Sequence, residues 1–342
     1  MPHTSPLIIG HRGAPGYRPE HTRASYELAI DLGVGAVEPD VVVSRDGVLV
    51  VRHENEISTT TDVAEHSEFL DRRTTKVIDG EEISGWFTED FTWDELSLLG
   101  ARERLPELRP GSAQFDRQQP MLRLGELLAL VDAASARVGR EVGVVVEIKH
   151  ATYFASLGWN MADLVSAELR AAGWAGGARG LVIESFEQSV LSELKRTGVP
   201  ATYVYLIEAK GTPFDLLASL GAKAEKYSAA LSEAGLDRLA HEVDGISLNK
   251  RLILAPDVLG HATGPAPVVS RAHERGLKVF TWTCRPENAF LLRQYRDGAD
   301  AATHGHWQAE WAVLRDAELD GIFADHPDLA VSFFTPEAPR RR

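Results

Sequence analysis

Cysteine occurs once in 342 residues, at Cys284, so the chain can form no intrachain disulfide and no thiolate cluster to hold a metal. Nothing in the sequence pairs that thiol with a base, which makes it a packing residue rather than a nucleophile. The lack of disulfides suits a reducing compartment, and a cytoplasmic location is the expectation. Long apolar runs are missing too. None approaches the roughly twenty residues of a membrane-spanning helix, so no stable membrane insertion is expected. The opening MPHTSPLIIGHRG has neither the basic nor the apolar stretch of a secretion signal and leads straight into a candidate strand. Basic charge is scarce: 36 Lys and Arg against 50 Asp and Glu give a formal net charge of -14. Such a surface repels a polyphosphate backbone, which argues against nucleic acid as a partner. The one basic run, Arg340-Arg341-Arg342, reads as a solvated tail.

What is present is ordinary in bulk and informative in order. A hydrophobic share of 44% and a charged share of 25% describe a soluble globular chain, long enough for one large α/β barrel or two domains. Apolar runs rich in β-branched residues mark eight candidate strands, at 7–10, 36–43, 142–148, 181–184, 202–206, 245–248, 279–283 and 321–324. Helical periodicity falls between most of them, at 22–32, 124–137, 160–172, 188–196, 268–276 and 287–295. Eight strand–helix repeats are the number that closes a (β/α)8 TIM barrel, so residues 1–342 are expected to form a single barrel domain. Residues 57–120 interrupt the rhythm. They are polar, carry Trp86, Phe87, Phe91 and Trp93, and read as an inserted subdomain over the active-site face, with the aromatics as a small core of its own. Within it Thr92-x-x-Glu95 is a capping-box pattern that opens a short helix.

The richest stretch is 7–54, with IIGHRGAPGYRPEHT followed by GAVEPDVVVSRDGVLVVRHE. On a strand, Glu38 and Asp40 project from one face and direct two oxygen donors at one point. Asp46-Gly47 reads as a two-residue hairpin turn; pairing Arg45 with Val48 would set His53 opposite Asp40. His11 follows a short apolar strand at its carboxyl end, where barrels carry their chemistry, and Arg12 adds a fixed positive fork. Carboxylates, imidazoles and a guanidinium so grouped point to metal-assisted cleavage of a phosphodiester.

These residues resemble the glycerophosphodiester phosphodiesterase family, bacterial type with an inserted subdomain. The resemblance runs through nearly the whole chain: HRGAPGYRPEHT, the E-x-D pair with its SRDG turn, the His53 step, GWFTEDFTWDEL, QQPMLRLGELL, VVVEIK, IESF, TWT and DGIFADHPD follow in family order. It implies a metal-dependent TIM barrel that hydrolyses glycerophosphodiesters to glycerol 3-phosphate and an alcohol. Carried over by position, the metal ligands fall on Glu38, Asp40 and Glu147, the catalytic histidines on His11 and His53, and the phosphate-contacting cations on Arg12 and Lys149. A site of oxygen ligands suits one hard divalent cation, Ca2+ or Mg2+. Trp282 is open between a core role and a wall for the glycerol or alcohol. The chain departs from the family pattern twice, with Glu54 where Asp commonly follows the histidine and Cys284-Arg285 where Val-Asn commonly follows the WT motif; both bear on substrate fit.

The implied mechanism is attack of the glycerol 2-hydroxyl on phosphorus, giving a cyclic phosphate that water then opens, with the cation and two histidines trading protons. His11 is assigned as first base, with the swapped assignment of His53 as base and His11 as acid left open beside it. Plainer readings stand beside these. Glu38 and Asp40 could be a solvated face, yet unpaired charge interrupting an apolar strand is costly. Glu147 and Lys149 could be a structural ion pair, and Glu20 could serve the loop around His11. His304-x-His306 reads as surface or packing rather than as a metal site. Two rival functions remain: a phospholipase-D-like lyase that stops at the cyclic phosphate of choline lysolipids or sphingolipids, and a barrel that binds phosphodiesters without cleaving them.

Overall fold

Short blocks such as VVVEI and TYVYLI favour the half-extended backbone of strands, and in the computed structural model, which describes residues 5–335, each block becomes one stave of a closed barrel. Residues 1–4 and the Arg340-Arg341-Arg342 run lie outside the described residues. The strands are β1 (Leu7–His11), β2 (Ala36–Glu38), β3 (Asp40–Val43), β4 (Leu49–Val51), β5 (Thr74–Ile78), β6 (Glu81–Gly85), β7 (Gly143–Ile148), β8 (Leu181–Ser185), β9 (Thr202–Ile207), β10 (Gly245–Asn249), β11 (Lys278–Cys284) and β12 (Gly321–Ala324). Parallel pairing runs from β7 through β8, β9, β10, β11 and β12 to β1 and β2, and β7 closes the ring on both β2 and β3. The expected (β/α)8 barrel is therefore present. Its second stave comes in two pieces because Pro39 has no N–H to offer the ladder.

The inside of the barrel holds a separate apolar plug of Ile9, Ala36, Val145, Val182, Val204, Phe280 and Phe323. Side chains alternate along a strand, so the residue two places further on faces the same interior, nearer the carboxyl ends. Those residues include His11, Glu38, Glu147, Glu184 and Trp282. A polar layer thus rests on an apolar one. The other faces of the strands meet the helices in one continuous core. Five of the six expected helices form, among them Arg23–Asp31, which Thr22 caps by accepting from the Ser25 N–H.

Three expectations need correction. The β3–β4 hairpin pairs Val43 with Leu49 and Val41 with Val51, so Arg52 rather than His53 lies opposite Asp40, and the Arg52 N–H donates to the Asp40 carbonyl at 3.1 Å. The turn is a three-residue loop, Arg45-Asp46-Gly47, closed by the Gly47 N–H on the Ser44 carbonyl, with Gly47 at φ 83°. No α-helix forms over 287–295. Asn288 instead accepts from the Asp297 N–H and donates to the Asp297 and Asp300 carbonyls, folding that segment onto itself, and the helix of this repeat is Trp307–Arg315. Trp86, Phe87 and Phe91 make no core of their own; they are buried in the continuous core of the barrel, with Trp93 packed against it.

Residues 57–120 bond to groups at or just past the carboxyl ends of β3, β7 and β12. Thr88 Oγ1 donates to the Val43 carbonyl and the Arg45 N–H to the Phe91 carbonyl, which ties them to β3 and its turn. The Thr92 capping box is formed and opens the helix Trp93–Leu96. At the tip of the β5–β6 hairpin, Asp79 pairs with His150 Nδ1 at 2.6 Å on the cavity rim. His304 and His306 are exposed at the surface.

Glu103 in this segment is buried, accepting from the Leu105 N–H and from Ser112 Oγ. Burial pushes its pKa from 4.5 up to about 7, against the pull of those hydrogen bonds. The folded chain keeps this proton at pH values where the unfolded chain has released it, so the stability Glu103 contributes is full below about 4.5 and is lost as pH rises through 7. Replacing Glu103 with Gln should flatten the fall in Tm between pH 5 and pH 8; a variant whose Tm tracks wild type at every pH would show that Glu103 is ionised throughout.

Candidate active site

The site begins where β1 ends. His11 is the last strand residue, Arg12 takes a left-handed φ of 55° and Gly13 one of 96°, and the Gly13 N–H closes the turn on the Gly10 carbonyl. Glycine is required at 13, since a Cβ there would meet Ser25 Oγ at 2.5 Å. The turn aims the Arg12 N–H at Glu38 Oε2, 2.8 Å away, and its guanidinium at Glu20 and Asp40, 3.0 and 3.5 Å away.

Sheet register then gathers the acids. Asp40 pairs with Glu147 and Glu147 with Glu184, so these three acids stand in one row, while Glu38, which pairs with His11, lies two residues before Asp40 on the same stave. Glu38, Glu147 and Glu184 each place an oxygen within 4.8 Å of the others'. Burial and repulsion from neighbouring carboxylates, Asp40 among them, raise all three pKa values. Glu38 is shifted by burial, then Asp40 and Glu147; Glu184 by burial, then Glu147 and Asp40. Glu147 rises to about 8 through burial, even though Lys149 opposes the shift. Asp40 behaves differently: burial would raise it, but His53, Lys149, a hydrogen bond from His21 and Arg12 hold it well below the carboxylate range.

Glu38 Oε1, Asp40 Oδ1 and Glu184 Oε2 are buried without a hydrogen-bond partner. Unpartnered buried anionic oxygens converging from several strands fit a hard divalent cation, which would satisfy them and relieve their repulsion. Glu38 and Glu147 come together as the sequence suggested. Asp40 lies beside them, held by His21 Nε2 at 2.9 Å and 3.7 Å from Lys149 Nζ, while Glu184, which sequence reasoning passed over, completes the close trio. Its signal was available: in IESF it ends an apolar strand, as Glu147 does in VVVEIK.

Both histidines reach the same cavity of about 640 Å³, whose lining includes Arg12, Lys149, Phe186 and Trp282. His11 Nδ1 lies 2.7 Å from Asp325 Oδ1, and burial with Arg12 lowers its pKa to about 4, with Asp325 opposing. His53, half-buried just beyond β4, bonds Glu54 through Nδ1 and lies 3.3 Å from Lys149 Nζ through Nε2. Burial, Arg12 and Lys149 lower its pKa as well. Near neutral pH each imidazole is uncharged, with Nδ1 committed to a carboxylate. Lys149 donates to Glu147 Oε1 at 2.6 Å and sits 5.4 Å over the Phe186 ring. Trp282 is half-buried and meets Phe186 edge-on at 5.5 Å, so it walls the cavity. Glu20 is buried and serves Arg12, as its position near His11 suggested. Also passed over were His21, which joins Tyr26 to Asp40, and Asp325, just past β12 at a strand end like the others.

A divalent cation should raise Tm, by an amount equivalent to about 2.7 kcal/mol when it is supplied at 100 times its Kd. Replacing Glu184 with Gln should abolish most of that shift in a thermal titration with Ca2+ or Mg2+. Full retention of the shift in this variant, with loss in Asp40→Asn, would place the cation with Glu38, Asp40 and Glu147 instead.

The sequence matches the profile of the Glycerophosphoryl diester phosphodiesterase family over residues 11–329. It is 29% identical to glycerophosphodiester phosphodiesterase GDPD6 of Arabidopsis thaliana, across 94% of this chain and 83% of that one. It is 26% identical to the glycerophosphodiester phosphodiesterase of Treponema pallidum, across 96% and 91%. Among solved structures, an Oleispira antarctica phosphodiesterase in complex with the product sn-glycerol-3-phosphate aligns with a TM-score of 0.64 at 21% identity, covering 97% of this chain and 98% of that one. The glycerophosphodiester phosphodiesterase of Agrobacterium tumefaciens aligns with a TM-score of 0.58 at 18% identity, covering 96% and 99%. With a profile match that runs from the first histidine of the site into the helix Pro327–Phe334, the chain belongs to the glycerophosphoryl diester phosphodiesterase family.

Proposed function

We propose that this protein hydrolyses glycerophosphodiesters to glycerol 3-phosphate and an alcohol, using His11 and His53 as a pair of proton carriers. One observation carries the reading: two neutral imidazoles, each held at Nδ1 by a carboxylate, line one cavity with a buried acid cluster and two fixed cations. The curated relatives named above as glycerophosphodiester phosphodiesterases support the substrate class, and the product held by the Oleispira protein is the product assigned here.

A bound phosphodiester brings negative charge between Arg12 and Lys149, whose guanidinium and ammonium neutralise it. His11 accepts the proton of the glycerol 2-hydroxyl as that oxygen bonds to phosphorus. The bond from phosphorus to the departing alcohol breaks, and His53 gives that oxygen a proton. Burial, Arg12 and Lys149 keep His53 neutral in the free protein; the substrate's charge offsets the two cations, and Glu54 stabilises the imidazolium. Water then opens the cyclic phosphate with the two roles reversed. A cation held by Glu38, Glu147 and Glu184, with Asp40 beside them, would act as a Lewis acid at a phosphate oxygen. Trp282 and Phe186 give the organic part of the substrate an apolar wall. Residues 57–120, bonded to groups at the strand ends, would form part of the domain's substrate gate.

An assay coupled to glycerol 3-phosphate, run on choline, ethanolamine, inositol and glycerol diesters, should show turnover that a chelator removes and Ca2+ or Mg2+ restores. His11→Ala and His53→Ala should each lower that turnover by about 100-fold to 10,000-fold while melting like wild type. Undiminished turnover in both variants rules out the two-histidine scheme. Phosphorus NMR that finds a cyclic phosphate as the final product would make the protein a lyase.

A further inference from the structure

We infer that residues 57–120 are a working part of the catalytic centre, because Arg104 and Arg109 from this segment each clamp the carboxylate that orients one of the two histidines. The inference rests on the two-histidine reading above and adds positioning residues to it.

The two histidines are built alike. Asp325 holds His11 Nδ1 through Oδ1, and its other oxygen, Oδ2, accepts from Arg109 Nη2 at 2.6 Å and from Arg285 Nε at 2.6 Å. Arg109 is fixed in turn by Glu287, which accepts from its Nε at 2.8 Å. Glu54 holds His53 Nδ1 and takes a fork of two bonds from Arg104, at 3.0 and 2.6 Å. The same guanidinium makes a second fork to Glu20, at 2.9 and 2.6 Å, and Glu20 reaches Arg12. Each histidine therefore ends a chain of imidazole, carboxylate and arginine, and both arginines lie five residues apart in the segment between β4 and β7.

Stability is a poor account of this arrangement. Asp325, Glu287 and Arg109 are almost wholly buried, and buried ion pairs seldom stabilise more than an apolar replacement would. Orientation accounts for it better. A carboxylate on Nδ1 keeps the proton there and leaves Nε2 as the unprotonated nitrogen, which in His53 faces Lys149 Nζ at 3.3 Å, and a carboxylate locked at its second oxygen cannot turn away. A guanidinium can bridge two carboxylates in a fixed plane, which an ammonium cannot. Both departures from the family pattern, Glu54 and Arg285, also fall in these chains rather than among the groups facing the acid cluster.

The test is a pair of double-mutant cycles on the full-length enzyme with its cation supplied. Arg109→Gln and Arg104→Gln should each lower kcat by about 10-fold to 100-fold with KM within about 3-fold of wild type. Asp325→Asn, whose amide oxygen would stay with the two arginine donors and so turn its NH2 toward His11, should lower kcat by up to about 10,000-fold. Because Arg109 acts through Asp325, Arg109→Gln with Asp325→Asn should lose no more than Asp325→Asn alone, and Arg104→Gln with Glu54→Gln no more than Glu54→Gln alone. Nitrogen-15 NMR of His11 should show the Nδ1–H form in wild type and a mixture in Arg109→Gln. Thermal melts check folding; should Arg109→Gln not fold, the Arg104 and Glu54 cycle decides alone. Additive losses, or a loss confined to KM with the His11 tautomer unchanged, overturn the inference. His11→Ala and His53→Ala, assayed alongside, separate the two failures: if they are inactive while the arginine variants are normal, only this inference falls, and if they are active the two-histidine reading falls first.

Discussion

Everything at the mouth of this barrel answers to the crowding of three buried glutamates. Glu38, Glu147 and Glu184 sit within a few ångströms of one another in a place water scarcely reaches; burial raises the pKa of each, and Glu147 adds to the rise at Glu38 and Glu184. Such an arrangement is unfavourable alone, because carboxylates that lose hydration without gaining partners raise the energy of the folded chain. The surroundings compensate in part. Arg12 gives Glu38 its backbone N–H, and Lys149 bonds Glu147. Asp40, next in line, is held ionised against its burial by His53, Lys149, His21 and Arg12, although its Oδ1 has no hydrogen-bond partner. The remaining deficit of positive charge is the feature a divalent cation fits.

The barrel makes this crowding possible by separating two layers in its interior. Below, Ile9, Val145, Val182, Phe280 and Phe323 fill the bore; above, the next inward residues on the same strands carry the chemistry. Rigid pairing on both sides of each strand fixes the height of every acid relative to its neighbours, which is why Glu147 can stand in register with Asp40 on one side and Glu184 on the other. The histidines lie at the edge of this level, at the end of β1 and just past β4, where the chain is no longer held by two neighbours. They need other restraints, and Asp325, Glu54 and the arginines behind them supply these.

Residues 57–120 thus have two roles in the geometry. Their apolar side chains extend the core of the barrel, and their polar ones reach back over the strand ends, with Asp79 on His150 at the rim and Arg104 and Arg109 deeper in. Glu54 and Arg285 acquire a structural meaning here. The longer Glu54 side chain spans from its own histidine to Arg104, and Arg285 adds a second cation to Asp325.

The eight staves, most of the helices and the residues at strand ends were legible in the amino-acid order because each depends on local pattern. Alternation and β-branching mark a strand, and a charge at the end of an apolar run marks a site, as with Glu38 and Glu147. What pattern could not decide was anything set by a partner distant in sequence. The β3–β4 register moved by one residue because Gly47 closes a three-residue turn, putting Arg52 where His53 was expected. The 287–295 segment folds on Asn288 instead of forming a helix, since side-chain bonds to Asp297 and Asp300 outweigh a modest helical periodicity. Glu184 and Asp325 end strands much as Glu147 does, but only closure of the ring shows which strands are neighbours and so which charges meet. The sequence by itself determined the barrel and the kinds of groups at its mouth, because backbone preference and side-chain alternation act over a few residues. Tertiary structure alone decided which acids share a cation-sized space and which arginines stand behind the histidines, because electrostatic forces act through space between groups that the chain separates by as many as 314 residues.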